Sequence, residues 1–326
     1  MSTDTTTATT AAQPAKITGD FDFFTGHFDV AHRQLKNPLT GSDDWEEYTG
    51  TCHARILFDG AVSIDQVTFP SKGAYGMSLR LFDPVEKDWT IYWINSKTGK
   101  TQPPVRGRWD GDSCWLVGED EHEGRPVLAS YVWSDVTERT AKWQQAFSVD
   151  NGETWETNWV MEFTRRDDAP EPLGLPKVTD DFEFLNGVWQ GEHQRLREPL
   201  TGSTEWYEFS STLTGWTYFD GAVSVDEGVL PSLGFKGLTF RTFDPIAKEW
   251  SIYWINSLRG KLDTPVVGKF DAEGNGLFYG PDEHNGVPIE VRFHWRKNGP
   301  APTWEQSFST DGGQTWEANW RTTFRR

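Results

Sequence analysis

The amino-acid sequence predicts an all-β protein made of two tandem, homologous antiparallel β-barrels, and three observations lead there. The chain repeats itself: LFDPVEKDWTIYWINSKTGK from Leu81 returns as TFDPIAKEWSIYWINSLRGK from Thr242. The match runs from Thr18 against Thr179 to Phe163 against Phe324, at an offset of 161 that moves to 162 around an extra residue near Gly274–Asn275. About half of the aligned positions are identical, and a unit of this length is a whole domain rather than a solenoid repeat. Turn signals recur about every eight to twelve residues with aromatic and β-branched runs between them, the pattern of a barrel or sandwich. Long segments of 3.6-residue period are missing.

The elements follow in order. Residues 1–16 (MSTDTTTATTAAQPAK) have neither a basic start nor an apolar core, so they read as a disordered tail and not as a secretory signal. The first barrel is expected over 17–165 and the second over 178–326. Between them, residues 166–177 are rich in proline and charge and read as a linker. DFDFFTGHFDV from Asp20 and DFEFLNGVWQG from Asp181 open the copies, and a short helix fits only Asp20–Phe24 and Asp181–Leu185. A strand, a Pro-Leu-Thr-Gly-Ser turn and a second strand from Trp45 or Trp206 come next. The Asp-Gly of FDGAVSIDQV and FDGAVSVDEG precedes a β-branched run, and the IYWINS strand follows the Asp-Pro turns at Asp83 and Asp244. Strands are expected at Val127–Trp133 and Ile289–Trp295, and each copy closes on two strands around an Asp-Asn-Gly or Asp-Gly-Gly turn.

Composition narrows the function. Only 36% of the chain is hydrophobic, but 18 Trp and 21 Phe supply wide side chains for two interiors. A formal charge of −18 argues against nucleic acid and anionic membrane as partners, since both need a basic patch. Cys52 and Cys114 occupy non-equivalent places in the two copies, so they do not read as a repeated bridge, and a cytoplasmic location is the simplest expectation. No apolar run approaches the length of a membrane helix.

Phe184-Leu185-Asn186-Gly187-Val188-Trp189 resembles the Gly-x-Trp opening of lipocalin-like (calycin) barrels, and the first copy has Gly26-His27-Phe28 there. Each copy is similar over nearly its whole length to bacterial lipocalin-like domains with H-x-x-L, W-x-IYW and a terminal Trp-rich hairpin. The resemblance implies that Trp189 plugs the barrel floor and that an apolar cavity opens at the other end. Ser148–Trp155 (SVDNGETW) and Ser309–Trp316 (STDGGQTW) resemble the Asp-box hairpin of sialidase-type propellers. Two such boxes do not make a propeller, and they are expected to be structural turns.

Strand alternation then selects candidate site residues. Trp189, Gly191 and His193 share one face, so an inward Trp189 brings His193 inward, and His32 follows by equivalence. A histidine in an apolar barrel serves as a proton donor or acceptor, or simply as a satisfied core residue. Arg80 and Arg241 lie mid-strand, where an inward guanidinium needs a carboxylate or a ligand. An outward arginine on a solvated face fits the sequence equally, and Asp65 and Asp226, which end the FDGAVSID and FDGAVSVD strands, fit either an arginine or a histidine as partner. Tyr92 and Tyr253 share a face with Ile94 and Ile255, while Trp93, Asn95, Trp254 and Asn256 share the other, and the sequence leaves open which face lines the interior. Trp143 with Gln145, and Trp304 with Gln306, alternate on the penultimate strands. Asp120-Glu121-His122 and Asp282-Glu283-His284 lack metal-ligand spacing and read as solvated loops, so no metal is expected. No Walker loop, dinucleotide fingerprint, Gly-x-Ser-x-Gly elbow or His-Glu-x-x-His occurs, and no cofactor is expected.

The expected catalytic set is therefore His32, His193, Tyr92, Tyr253, Arg80, Arg241, Asp65 and Asp226. The expected ligand-binding set is Trp93, Trp254, Asn95, Asn256, Trp189, Trp143, Trp304, Gln145 and Gln306. Together they fit a barrel that encloses a small, largely apolar metabolite for cofactor-free isomerisation, cyclisation or hydration in secondary metabolism. A non-catalytic carrier or sensor is the alternative, and a nitrobindin-like haem protein a further one, suggested by the GVWQGEH opening; resemblance to that group implies a proximal histidine near the chain end, and neither copy has one in its final two strands. Differences between the copies, such as His53 against Thr214 and Arg55 against Trp216, lead to the expectation that only one barrel works. The barrels are expected to pair within a monomer about a pseudo-twofold axis, as homodimers do.

Overall fold

The structure, a computed structural model, describes residues 16–326; the tail expected over 1–16 lies outside them apart from Lys16. In the first barrel the strands are β1 (Gly26–Leu35), β2 (Trp45–Leu57), β3 (Val62–Phe69), β4 (Ala74–Asp83) and β5 (Asp88–Asn95). They continue with β6 (Val105–Asp110), β7 (Ser113–His122), β8 (Arg125–Ser134), β9 (Thr140–Ser148) and β10 (Glu156–Arg166). The second barrel repeats the series as β11 (Gly187–Leu196), β12 (Trp206–Tyr218), β13 (Val223–Leu230), β14 (Phe235–Asp244) and β15 (Glu249–Asn256). Its remaining strands are β16 (Val266–Phe270), β17 (Asn275–His284), β18 (Val287–Arg296), β19 (Thr303–Ser309) and β20 (Glu317–Arg325).

Each set is a closed antiparallel barrel in which every strand pairs with its neighbours in sequence, and β1 meets β10 as β11 meets β20. Closure leaves no open edge, so every strand can satisfy its ladder. The short helices expected at the openings shrink to turns. Phe24 donates its N–H to Phe21 O (2.8 Å), and Glu183–Leu185 form a single 3-10 turn. These turns put Phe21, Phe24, Phe182 and Leu185 into the closed barrel ends. There the Trp89 and Trp250 indoles donate to Asp20 (2.9 Å) and Asp181 (3.0 Å).

The expected pseudo-twofold pairing is written in reciprocal contacts. Phe58 N–H donates to Glu227 Oε1 (3.0 Å), and its counterpart Phe219 N–H donates to Gln66 Oε1 (2.8 Å). Lys100 lies 3.5 Å from Asp244, as Lys261 does from Asp83. Arg55 stacks on Trp216, its own counterpart, at 4.9 Å. Residue i meeting j while the counterpart of j meets that of i is the signature of an isologous interface. Val62, Ile64, Met77, Leu79 and Ile94 pack there against Val223, Val225, Leu238, Phe240 and Ile255. β3 and β4 are consequently buried on both faces, one toward their own barrel and one toward its twin, and the polar Ser63, Asp65 and Arg80 that this burial encloses pair with one another. The segment after β10 crosses this junction, where Leu173 and Leu175 pack against it.

Candidate functional site

The two interiors differ although their frames match. In the first barrel Phe69, Trp93, Trp143, Trp159 and Met161 are buried in one cluster. Ring centroids there stand 5.7 Å apart for Trp93–Trp159, 5.5 Å for Trp143–Trp159 and 5.8 Å for Phe69–Trp159. In the second barrel the counterparts Trp254, Trp304 and Trp320 are only half-buried, and they line a cavity of about 170 Å³. Three substitutions between the copies accompany that space: Val67, Phe69 and Met161 of the first barrel are Gly228, Leu230 and Thr322 in the second, and all three of the latter line the cavity. A Cβ on Gly228 would meet nothing nearer than 3.7 Å, so this glycine is open room and not a crowded backbone contact.

His193 borders the cavity in a complete hydrogen-bond set. Trp320 Nε1 lies 3.1 Å and Thr322 Oγ1 2.8 Å from His193 Nδ1, while Ser211 Oγ lies 2.8 Å from Nε2. An indole N–H only donates, so Nδ1 accepts and the neutral ring carries its proton on Nε2, which donates to Ser211. This is the opposite polarity to a serine activated by a histidine base. Burial holds the His193 pKa down to about 4. The Ser211 bond needs Gly191 directly opposite on β11, where a Cβ would come within 2.5 Å of Ser211 Oγ. The first barrel inverts that pair as Val30 and Gly50. His32 accordingly keeps Trp159 as its donor at 3.4 Å but has no partner at Nε2 among the described residues, and burial, with Lys72, lowers its pKa to about 3.

The inward arginines found the carboxylates the sequence offered. Arg80 Nη1 lies 2.5 Å from Asp65, and Arg241 pairs with Asp226, each pair with both side chains almost fully buried. Ser63 and Ser224 accept from the same guanidinium nitrogens at 3.3 and 3.4 Å. Arg241 also sits over Phe182 (4.7 Å) and Trp295 (5.5 Å), as Arg80 sits over Phe21, Phe24 and Trp133. Burial raises the Asp65 carboxyl above its ordinary range, against the pull of Arg80. Because both barrels carry the pair, it belongs to the frame, although in the second barrel it also borders the cavity.

Of the residues singled out from sequence, the structure brings His193, Arg241, Asp226, Trp254, Trp304 and Gln306 to one cavity. Others fall elsewhere. Tyr92 and Tyr253 face away from the barrel interiors and pack at the junction between barrels, where Tyr253 OH lies 3.4 Å from Thr101 Oγ1, so neither lines this cavity. Asn95 and Asn256 spend their Oδ1 atoms on the following turns, accepting from Lys97 N and Leu258 N at 2.9 Å. Trp189 closes the floor, with its indole donating to Leu185 O (3.2 Å) and the Arg326 guanidinium 4.0 Å over its ring. Trp93, Trp143, His32, Arg80 and Asp65 belong to the filled first barrel, where Gln145 donates to Asn158 (2.9 Å).

Several cavity residues escaped the sequence reading: Ser211, Thr239, Phe293, Trp320 and Thr322. Alternation from Phe324 back to Thr322 and Trp320 was available. It is obscured by a register shift at Gln306/Ser307, which lets the neighbouring Asn319 also turn inward and accept from Gln306 at 2.8 Å.

The terminal hairpins are built as the Asp-box pattern implies. Asp311 Oδ1 accepts from Thr315 N (2.9 Å) and Ser309 Oγ (2.7 Å), and Trp316 Nε1 donates to Gly313 O (2.9 Å). These bonds to Thr315 and Ser309 hold the Asp311 carboxyl down to about 2, and Asp150 repeats the arrangement with Thr154 and Ser148. Residues 307–318 match the BNR/Asp-box repeat. No curated protein matches the chain. Among solved structures, a protein of unknown function from the DUF3598 family of Nostoc punctiforme is 10% identical over 96% of this chain and 100% of its own, with a TM-score of 0.21. A tryptophan-to-alanine mutant of transferrin binding protein B from Haemophilus parasuis is 10% identical over 93% of this chain and 75% of its own, with a TM-score of 0.22. At such scores neither likeness bears on function.

Proposed function

We propose that the second barrel is a binding site for one small, largely apolar molecule and that the first barrel is its filled structural twin. The observation that carries this reading is the cavity of about 170 Å³ lined by Trp254, Trp304 and Trp320, set against the buried counterparts Trp93, Trp143 and Trp159. An engineered apolar cavity of about 150 Å³ accepts benzene. The space therefore suits a single-ring or similarly compact ligand, below the ~300–1,000 Å³ of sites for drug-sized molecules. A porphyrin is far larger, and His193 has both ring nitrogens engaged, so the haem reading finds no fit here.

Within this reading, binding without turnover comes first. A histidine held at about 4 is a weak base near neutral pH, and its proton already faces Ser211. Cofactor-free isomerisation, cyclisation or hydration is the second reading, favoured by the continuous Ser211–His193–Thr322 chain along the cavity wall. The closed barrel with Trp189 at its floor and a cavity beyond it also supports placing the second copy, and by homology the first, among lipocalin-like folds. Native mass spectrometry of gently purified full-length protein tests the proposal. One ligand per chain, lost on Leu230→Phe/Thr322→Met, is the expected result. Two ligands per chain, or retention in that variant, would overturn it.

A further inference from the structure

The charge and surface chemistry of the cavity narrow its ligand further, on the premise that the cavity is a ligand site. Its walls are built from the aromatic rings of Trp254, Trp304, Trp320 and Phe293, with Trp304 edge-to-face at 5.6 Å from Trp320 and 5.0 Å from Phe293 between centroids, and with the Arg195 guanidinium already 4.6 Å over the Trp320 ring. Aromatic rings attract a cation that reaches a free face. The formal charges on the lining residues are Asp226, Arg241, Asp263 and Asp282. Asp226 and Arg241 neutralise each other, and His193 is uncharged near neutral pH. Two further carboxylates remain: Asp263, on the loop between β15 and β16 and ion-paired with Arg259, and the exposed Asp282 on β17. Asp263 is tied to the wall through its N–H, which donates to Trp254 O (3.0 Å). It is half-buried, its only ion-pair partner among the described residues is the exposed Arg259 at 2.8 Å, and both burial and repulsion by Asp282 work against its charge. Gln102 stands at this place in the filled barrel, so the extra carboxylate accompanies the open one. Among the described residues no cationic side chain other than the paired Arg241 lines the cavity, and an anionic ligand would meet the carboxylates of Asp263 and Asp282 there.

We propose that the second barrel takes a small organic cation, an ammonium group on an apolar body of about the size of benzene, with the body between the tryptophans and the charge toward Asp263 and Asp282. The ammonium relieves the repulsion between the two carboxylates and meets the π faces of the walls. The net charge of −18 adds a general attraction for cations approaching the surface.

Isothermal titration of the full chain with three size-matched probes tests this: benzylammonium, benzyl alcohol and benzoate. Benzylammonium is expected to bind roughly tenfold more tightly than benzyl alcohol, with benzoate weakest. In Asp263→Asn the preference for the cation should fall severalfold while benzyl alcohol binds as before, which reports an intact cavity. Equal affinities, or benzoate binding best, would overturn the charge inference and leave the cavity reading standing. Binding of none of the three would overturn the cavity reading, and the inference with it.

Discussion

Transplanting the first barrel's filling into the second is the sharpest test of how the cavity arises. The variant is Gly228→Val/Leu230→Phe/Thr322→Met, which installs the counterparts Val67, Phe69 and Met161. At ~24 cal/mol per Å³ of empty volume, a cavity of about 170 Å³ corresponds to roughly 4 kcal/mol of stability forgone, an upper bound because the cavity is partly polar. Thr322→Met gives up the 2.8 Å contact with His193 Nδ1, a loss of about 1 kcal/mol. Trp320 still donates to that nitrogen, as Trp159 does to His32 beside Met161. The net expectation is a gain of up to about 3 kcal/mol together with loss of benzylammonium binding. Urea unfolding gives the first quantity and isothermal titration the second. A variant that binds as wild type, or that unfolds at lower urea, would refute the reasoning, because it would mean that these three positions do not define the space.

Three further outcomes are expected. Arg241→Met leaves Asp226 buried and uncompensated and should cost about 3–5 kcal/mol, most of it recovered in Asp226→Leu/Arg241→Met; a loss below 1 kcal/mol in urea unfolding would show that the pair is not frame. His193 binds its proton far more weakly folded than unfolded, so its contribution is present above the unfolded value of 6.5 and is lost as pH falls from there toward about 4. The loss amounts to up to about 3 kcal/mol, and a pH series of melting temperatures should flatten in His193→Gln. Gly99 and Gly260 adopt positive φ, and a Cβ on either would stand 1.9 Å from Phe243 O or Phe82 O across the junction. Each Gly→Ala change should therefore destabilise the pairing of the barrels by at least ~1–3 kcal/mol in urea unfolding, and an unchanged midpoint would place the junction elsewhere.

Much of this molecule was legible in the chain. A repeat of domain length, turn signals at strand spacing and aromatic runs fixed two antiparallel all-β units, because turn chemistry and period are local properties. Alternation along β11 aligned His193 with Trp189, whereas mid-strand Arg241 left open an inward or a solvated side chain, and Asp226 was a carboxylate that fitted either an arginine or a histidine. What stayed hidden depended on neighbours remote in sequence. On β5 and β15 both faces are apolar, one toward the barrel interior and one toward the twin barrel, so alternation had no polar side to orient it, and Tyr92 and Tyr253 fell on the junction face. The cavity arises where small residues on β13 and β20, Gly228, Leu230 and Thr322, converge from distant parts of the chain. Local sequence determines which way a side chain points, and only closure of the barrel decides whether the side chains that meet inside leave room for a ligand.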